Sequence, residues 1–140
     1  FNFEDSKMCD LFEKGGNLVT RALVSDWLKR EEDPAFKDLS DRALAEFLNG
    51  LIIEKRGKKD DTIPIAEDVL NNNIILRKLK IALNLKDEDI LAILQLADFR
   101  LSKHELSAFF RQPNQSQYRA CQDQIMRNFL HGLEKKYHAS

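Results

Sequence analysis

The feature that most constrains the fold is an internal repeat with a fixed spacing of 82 residues. Residues 1–58 align with residues 83–140 without a gap, and eight of the aligned pairs are identical. The clearest part of the repeat is an apolar motif, Phe47, Leu48, Gly50 and Leu51 in the first copy and Phe129, Leu130, Gly132 and Leu133 in the second. A repeat at this spacing predicts that one supersecondary unit is built twice.

Composition and periodicity predict that the unit is helical. The 140 residues include only 5 Gly and 3 Pro, too few for the dense turns of a β-sandwich or barrel. Apolar residues recur at helical spacing, which predicts helices at about 5–14, 21–30, 40–56, 72–83, 87–97, 103–111 and 120–137. The predicted fold is all-α, with two tandem copies of a roughly four-helix unit in pseudo-two-fold symmetry. Residues 1–57 are copy one, 58–70 a linker and 71–140 copy two.

The two copies differ at their beginnings. Copy two starts with an Asn-capped amphipathic segment, 71–82, whose apolar face includes Leu76 and Leu79. The counterpart of this segment would lie before Phe1, so the first helix of copy one is absent from this chain. We expect the natural protein to carry one more N-terminal helix of about a dozen residues. Without it, one of two paired grooves is expected to stay open, and exposed Leu and Phe there favour self-association.

Glycine occupies the same mid-helix position in both copies, at Gly50 and Gly132. A glycine inside a helix costs about 1 kcal/mol relative to alanine, so its presence in both copies predicts a close helix–helix approach. We expect the long helices of the two copies to approach each other there, across the pseudo-two-fold axis. The alternative is that both glycines descend from the ancestral unit and make no such contact.

The chain shows few signs of catalytic or metal chemistry. Cys9 and Cys121 align with apolar residues and are predicted to be small core residues, and the three histidines lack metal-ligand spacing. There is no glycine-rich phosphate loop and no nucleophile motif. We therefore predict no catalytic residue, metal or cofactor and no enzymatic activity, with an unrecognised pocket between the copies as the open alternative. No apolar run approaches the length of a membrane span.

The distribution of basic residues indicates a possible binding function instead of a catalytic one. The formal net charge of −1 excludes a protein-wide attraction to nucleic acid. Cations are nonetheless concentrated around the linker and the helix after it, at Lys55, Arg56, Lys58, Lys59, Arg77, Lys78 and Lys80. Cations at helix ends are favoured by the macrodipole, so solvated helix ends are the simpler interpretation. The alternative is contact with an RNA or DNA backbone or a ribosomal surface.

A helix–turn–helix interpretation of residues 89–110 is also weak. The turn at 96–101 is longer than the usual three or four residues, and the second helix carries few cations. A generic helical hairpin is the better interpretation of this segment.

Two segments carry a family resemblance. Residues 47–57, FLNGLIIEKRG, and the pattern NNNxxLRKLxxALNLxDxDI at 71–90 resemble the YehS-like family, which consists of uncharacterised bacterial proteins with a duplicated domain of unknown function. The resemblance covers the whole chain. It implies a bacterial cytoplasmic protein with the additional N-terminal helix, and it implies no activity.

The function expected from the sequence is therefore binding rather than catalysis. We predict a non-catalytic binding or regulatory module with an unknown protein partner or self-association, without membrane contact. Nucleic-acid binding through the basic linker and the following helix is the alternative.

Overall fold

A computed structural model of the chain describes residues 3–29, 32–34, 37–57 and 66–137. Within these residues the chain forms seven α-helices and no β-strand, which confirms the predicted all-α class. The helices are α1 (Asp5–Lys14), α2 (Arg21–Trp27), α3 (Asp41–Arg56), α4 (Asn72–Ala82), α5 (Asp87–Leu96), α6 (Lys103–Phe109) and α7 (Asp123–Tyr137).

The chain divides into two compact units between Leu70 and Asn71. The first unit contains α1, α2 and α3, and we refer to it as copy one. The second unit contains α4 to α7 and is copy two. In copy one, α1 packs against α2 and α3, and in copy two, α5 packs in the same way against α6 and α7. The pseudo-two-fold relation between the copies stays a prediction.

Side-chain caps fix where the helices begin. The Thr20 hydroxyl accepts a hydrogen bond from Leu23 N at 3.1 Å, and the Ser102 hydroxyl accepts one from Glu105 N at 3.0 Å. Thr20 and Ser102 are equivalent in the repeat, so α2 and α6 start in the same way. Such a cap satisfies a backbone N–H that has no partner inside the helix.

Two helix ends differ from the prediction for identifiable reasons. Helix α2 ends at Trp27 instead of residue 30, because Leu28 N donates to both Val24 O and Ser25 O in a tightened last turn. Helix α7 begins at Asp123 instead of 120, because its hydrogen bonding starts at Gln122 O, which accepts from Met126 N at 3.1 Å, while Cys121 N donates to the side chain of Asn73 at 2.8 Å.

The turn after the first packed helix has the same geometry in both copies. Gly16 has a φ of 98°, and its equivalent Asp98 has a φ of 57°. The residue that follows donates back into the helix in each case, Asn17 N to Phe12 O and Phe99 N to Leu94 O. Aspartate is one of the few side chains that tolerate this left-handed conformation, so the turn survives without glycine in copy two.

The mid-helix glycines mark close packing inside each copy. A Cβ atom on Gly50 would lie 1.7 Å from Leu11 O of α1, and one on Gly132 would lie 2.0 Å from Ile93 O of α5. Leu11 and Ile93 are themselves equivalent in the repeat. The expected close approach therefore exists, but the predicted partner was wrong. Each glycine faces a shorter helix of its own copy, and not the long helix of the other copy.

Candidate functional site

The described part of copy one carries an apolar groove of about 200 Å³, which we call the groove. Helices α1, α2 and α3 all contribute to it, together with the segment that leads into α3. Its lining residues are Met8, Phe12, Val24, Trp27, Leu28, Leu39, Leu44 and Phe47. Every one of these side chains is hydrophobic, so the groove is suited to apolar rather than charged ligands.

Aromatic packing forms the floor of the groove. The Phe12 ring lies 5.2 Å, centroid to centroid, from the rings of both Trp27 and Phe47, and both pairs are tilted. Phe12 is fully buried, whereas Trp27 and Phe47 are only partly buried. Tilted aromatic pairs at this separation are favourable, so these contacts stabilise the packing of the three rings. Trp27 and Phe47 remain partly accessible.

Polar contacts hold the α2 side of the groove. Lys29 Nζ lies 2.9 Å from Asp26 Oδ1, and Lys37 Nζ lies 3.7 Å from Asp26 Oδ2. The hydrogen bond from Lys29, above all, lowers the pKa of the Asp26 carboxyl. Lys37 N also donates to Asp26 O at 3.3 Å, which ties the segment before α3 to the end of α2. The edge that contains Leu39 is thereby fixed relative to Trp27.

An ion-pair cluster joins α1 to α3 close to the glycine contact. The Glu54 carboxylate accepts from Lys7 Nζ and from Lys14 Nζ, the latter at 2.9 Å. These two hydrogen bonds lower the pKa of Glu54 to about 2, against the partial burial that opposes the shift. Both helices line the groove, so the cluster helps to set its width.

In copy two, α4 lies against residues equivalent to part of the groove lining, with Asn73 hydrogen-bonded to Phe109 O and Cys121 N. Leu76 and Leu79 of α4 are buried, and Lys80 Nζ lies 4.3 Å above the Phe110 ring. The equivalent positions differ in exposure accordingly. Leu39 is 36% exposed and its counterpart Cys121 only 4%, and burial raises the pKa of the Cys121 thiol to about 11. Two further pairs follow the same trend: Trp27 and Phe47 are partly buried, whereas their counterparts Phe109 and Phe129 are buried.

The predicted basic residues are largely engaged in local contacts. Lys80 Nζ forms an ion pair with Asp87 at 2.9 Å, and Arg77 Nη2 lies 3.5 Å from Phe110 O. Lys55 and Lys78 also make interactions within the chain, while Arg56 is exposed at the end of α3. Lys58 and Lys59 lie outside the described residues. Contact with nucleic acid through this segment stays a prediction.

The repeated motif is not equally buried in the two copies. Phe129, Gly132 and Leu133 are buried, as are Leu48, Gly50 and Leu51 in copy one. Leu48 is 5% exposed, however, and its counterpart Leu130 is 48% exposed. Helix α3 therefore buries a second face that α7 leaves accessible.

A second cavity, of about 340 Å³, lies in copy two beside α6 and the start of α7. It is lined by Glu105, Phe109, Arg119, Ala120, Gln122 and Ile125. The Arg119 guanidinium already donates to Ser116 O and Tyr118 O, so it is held by the loop and not directed at a ligand. This cavity offers no arrangement of groups for catalysis that we recognise.

Within the described ranges, no group of three or more His, Cys, Asp or Glu side chains is placed to hold a metal ion. None of the described helices has both the length and the apolarity needed to cross a membrane.

The sequence anticipated an open groove in copy one but not the residues that line it. Trp27 lies in the predicted helix at about 21–30 and Leu39 just before the predicted helix at about 40–56, and neither is among the predicted site residues. Leu28, next to Trp27, is 62% exposed. The available signal was the repeat itself, because Trp27 and Leu39 align with Phe109 and Cys121 in the copy that possesses α4.

Comparisons with known proteins identify relatives without a described activity. A family described as "Protein of unknown function (DUF1456)" matches residues 1–57 and again residues 72–138. The "Uncharacterized protein YehS" of Escherichia coli (strain K12) is 45% identical over 126 residues, covering 88% of this chain and 80% of that protein. No solved structure matches the chain. The double match agrees with the duplication deduced from the 82-residue offset.

Proposed function

Because the chain belongs to the DUF1456 family of proteins of unknown function, as its YehS-like sequence indicates, we propose a function from the groove: a non-catalytic module that binds an amphipathic helix of a protein partner. The observation that carries this proposal is the difference between the copies. In copy two, α4 contacts Phe109, Phe110 and Cys121, which are equivalent to lining residues of the groove, whereas in copy one the groove is accessible.

The chemistry of the groove favours a helix over other ligands. Its lining is apolar and comes from α1, α2, α3 and the segment before α3, and a helix presents apolar side chains at i, i+3 and i+4 to such a surface. Helix α4 shows the required pattern, since Leu76, Leu79 and Ala82 are buried on one face while Arg77 is exposed. A partner helix with the same spacing can bury its leucines against Trp27 and Phe47.

The experiment uses a synthetic peptide of residues 71–83, NNNIILRKLKIAL, as a probe for the groove. Trp27 is the only tryptophan of the chain, so its emission reports on the groove directly. We expect saturable binding with a shift of Trp27 emission to shorter wavelength, at peptide concentrations below about 1 mM. A peptide with Leu76→Gln and Leu79→Gln is the matched control and should produce no saturable shift.

A protein variant tests the location of the peptide. Leu39 lines the groove and is already exposed, so Leu39→Glu should leave the fold intact and weaken peptide binding at least tenfold. Lys103→Glu, on copy two, is the comparison variant and should bind like the parent chain. Absence of any saturable change in Trp27 emission with the parent peptide would contradict the proposed function.

A further inference from the structure

We propose that the groove selects its partner helix by an asparagine in the first turn of that helix. The inference rests on the proposed function, because it names the polar group that the bound helix must carry. An apolar surface alone accepts many amphipathic helices in several positions. A buried amide that must meet three fixed backbone groups restricts the partner to one sequence pattern and one register.

In copy two, an asparagine holds the first turn of α4 in this way. Asn73 is 5% exposed. Its Nδ2 donates to Phe109 O at 3.0 Å and to Arg119 O at 2.9 Å, and its Oδ1 accepts from Cys121 N at 2.8 Å. The amide thus uses both N–H donors and its acceptor, and it joins α4 to the end of α6 and to the segment before α7.

Copy one has the same three backbone groups one repeat earlier in the chain. They are the carbonyls of Trp27 and Lys37 and the N–H of Leu39. Trp27 and Leu39 line the groove, so these groups lie at its edge. Within the described ranges no residue donates to Trp27 O or Lys37 O, and Leu39 N donates to none of these residues. All three groups can therefore pair with a side chain of a bound helix.

The backbone pairing that shapes this edge is also the same in both copies. Lys37 N donates to Asp26 O at 3.3 Å, and the equivalent Arg119 N donates to Ala108 O at 3.2 Å. In copy one the ion pair between Lys37 Nζ and Asp26 Oδ2, at 3.7 Å, adds a second link between the same two segments. The edge of the groove thus has the backbone arrangement that receives Asn73 in copy two.

The other residues of the recognition pattern follow from the register of α4. Leu76 and Leu79 are buried and lie three and six residues after Asn73, on the same face of the helix. Asn71 is exposed, and its Oδ1 accepts from Ile74 N at 2.9 Å as the helix cap. We therefore expect the partner to carry the pattern N-x-x-L-x-x-L at the beginning of a helix, with the asparagine at the edge of the groove and the leucines over its apolar lining.

The test compares the 71–83 peptide with an Asn73→Leu peptide, using the Trp27 emission of the full chain. The substitution removes the donors and the acceptor, keeps the size of the side chain and adds apolar surface. A groove that selected for apolar surface alone would bind this peptide more tightly. We expect it to bind about tenfold more weakly or worse, because the three backbone groups lose water without gaining hydrogen bonds.

An Asn71→Ser peptide is the matched control. It removes an amide from the same end of the helix, but serine retains a side-chain cap. Its affinity should stay within about threefold of that of the parent peptide. An equal loss of affinity in the Asn71→Ser and Asn73→Leu peptides would show that the amide of Asn73 has no special role, and it overturns the inference.

A second measurement locates the asparagine independently of affinity. Amide hydrogen exchange of Leu39 N–H is followed by NMR with each peptide at the same fractional occupancy of the groove. The parent peptide supplies an acceptor for this N–H, so we expect exchange to slow by about tenfold or more, whereas the Asn73→Leu peptide should protect it much less. Equal protection by the two peptides places the asparagine elsewhere and overturns the inference.

The remaining outcomes distinguish this inference from the proposed function. If the Asn73→Leu peptide binds as tightly as the parent peptide or more tightly, the inference fails and the proposed function stands. If none of the three peptides produces a saturable change in Trp27 emission, the proposed function fails and the inference fails with it. If light scattering shows a dimer in which Leu39 N–H is protected without any peptide, a second copy occupies the groove and the inference is overturned.

Discussion

Gly50 sits where α3 has no room for a side chain. The Cβ of an alanine at this position would lie 1.7 Å from Leu11 O, a backbone atom that moves only if α1 moves. We expect Gly50→Ala to lower the free energy of unfolding by about 3 kcal/mol or more, because the contact involves backbone on both sides. Urea denaturation of the purified variant measures this.

Gly57 provides the control for this substitution. A Cβ on Gly57 would meet nothing within 4 Å, but its φ of 83° is unfavourable for other residues. Because its ψ of 164° lies in a region that only glycine adopts readily, Gly57→Ala should cost about 1–3 kcal/mol from backbone strain alone, less than Gly50→Ala. An equal loss in the two variants would show that the space at Gly50 is not what matters. We expect Gly132→Ala to resemble Gly50→Ala, since it faces Ile93 O at 2.0 Å.

At the residue scale, the repeat predicted that these glycines matter but not what they touch. Glycine occurs at the same position in both copies, and a single sequence is enough to show this. The sequence does not show which helix lies opposite, because glycine fits any close helix approach. Leu11 and Ile93 look like ordinary core residues, and it is their carbonyl oxygens that come close.

At the scale of elements, Glu54 connects α1 and α3 through Lys7 and Lys14, and its pKa in the folded protein is about 2 instead of the usual 4.5. A carboxyl with a lowered pKa in the folded state stabilises the fold above its unfolded pKa. This stabilisation is fully present above about pH 4.5 and is lost as the pH falls from 4.5 towards 2.

We therefore expect Glu54→Gln to remove part of the acid sensitivity of the fold. The variant should melt at a lower temperature than the parent at pH 7, and the difference should shrink as the pH falls from 4.5 towards 2. Thermal denaturation followed by circular dichroism across this range measures it. Glu13→Gln, on the exposed side of α1, is the control and should keep the parent's pH profile. A constant difference at all pH values would contradict the assignment.

Helix positions followed closely from the periodicity of apolar residues, and the deviations have local causes. Amphipathic spacing locates a helix but not its last turn, which depends on competing hydrogen bonds. Near the start of α7, for example, the Cys121 N–H donates to Asn73 of α4, a residue 48 positions away in the chain. Contacts at such separations are not visible in local sequence patterns.

At the scale of the whole molecule, each copy has its own packed centre, and this predicts separable folding. In copy two, α5 packs on α6 and α7, and Asn73 ties α4 to the same group of helices. We expect a fragment of residues 71–140 to be helical and to unfold cooperatively by circular dichroism.

A fragment of residues 1–70 is the natural comparison. It retains the groove without a covering helix, so we expect it to melt at a lower temperature than fragment 71–140. The opposite order, or an unfolded 71–140 fragment at 25 °C, would contradict the view that α4 completes its unit. Fusion of residues 71–82 to the 1–70 fragment should bring the two melting temperatures closer together.

The duplication, the all-α class and the open groove could be predicted for the whole chain from one sequence. The residues that line the groove could not be predicted, because they are recognised only by comparison with the residues that α4 contacts in copy two. Exposure of Leu39 and burial of Cys121 become informative only once both are placed in space.

The glycine contacts also bear on how fast the protein folds. Gly50 lies 39 residues after Leu11, and Gly132 lies 39 residues after Ile93, so both copies must close a chain loop of the same length to form this contact. The entropy lost in closing a loop depends mainly on its length and is therefore matched in the two copies. A difference between the folding rates of the two copies then reports on α4. The contacts of α4 with Arg119 and Cys121 span 46 and 48 residues, so they increase the mean sequence separation of contacting residues in copy two.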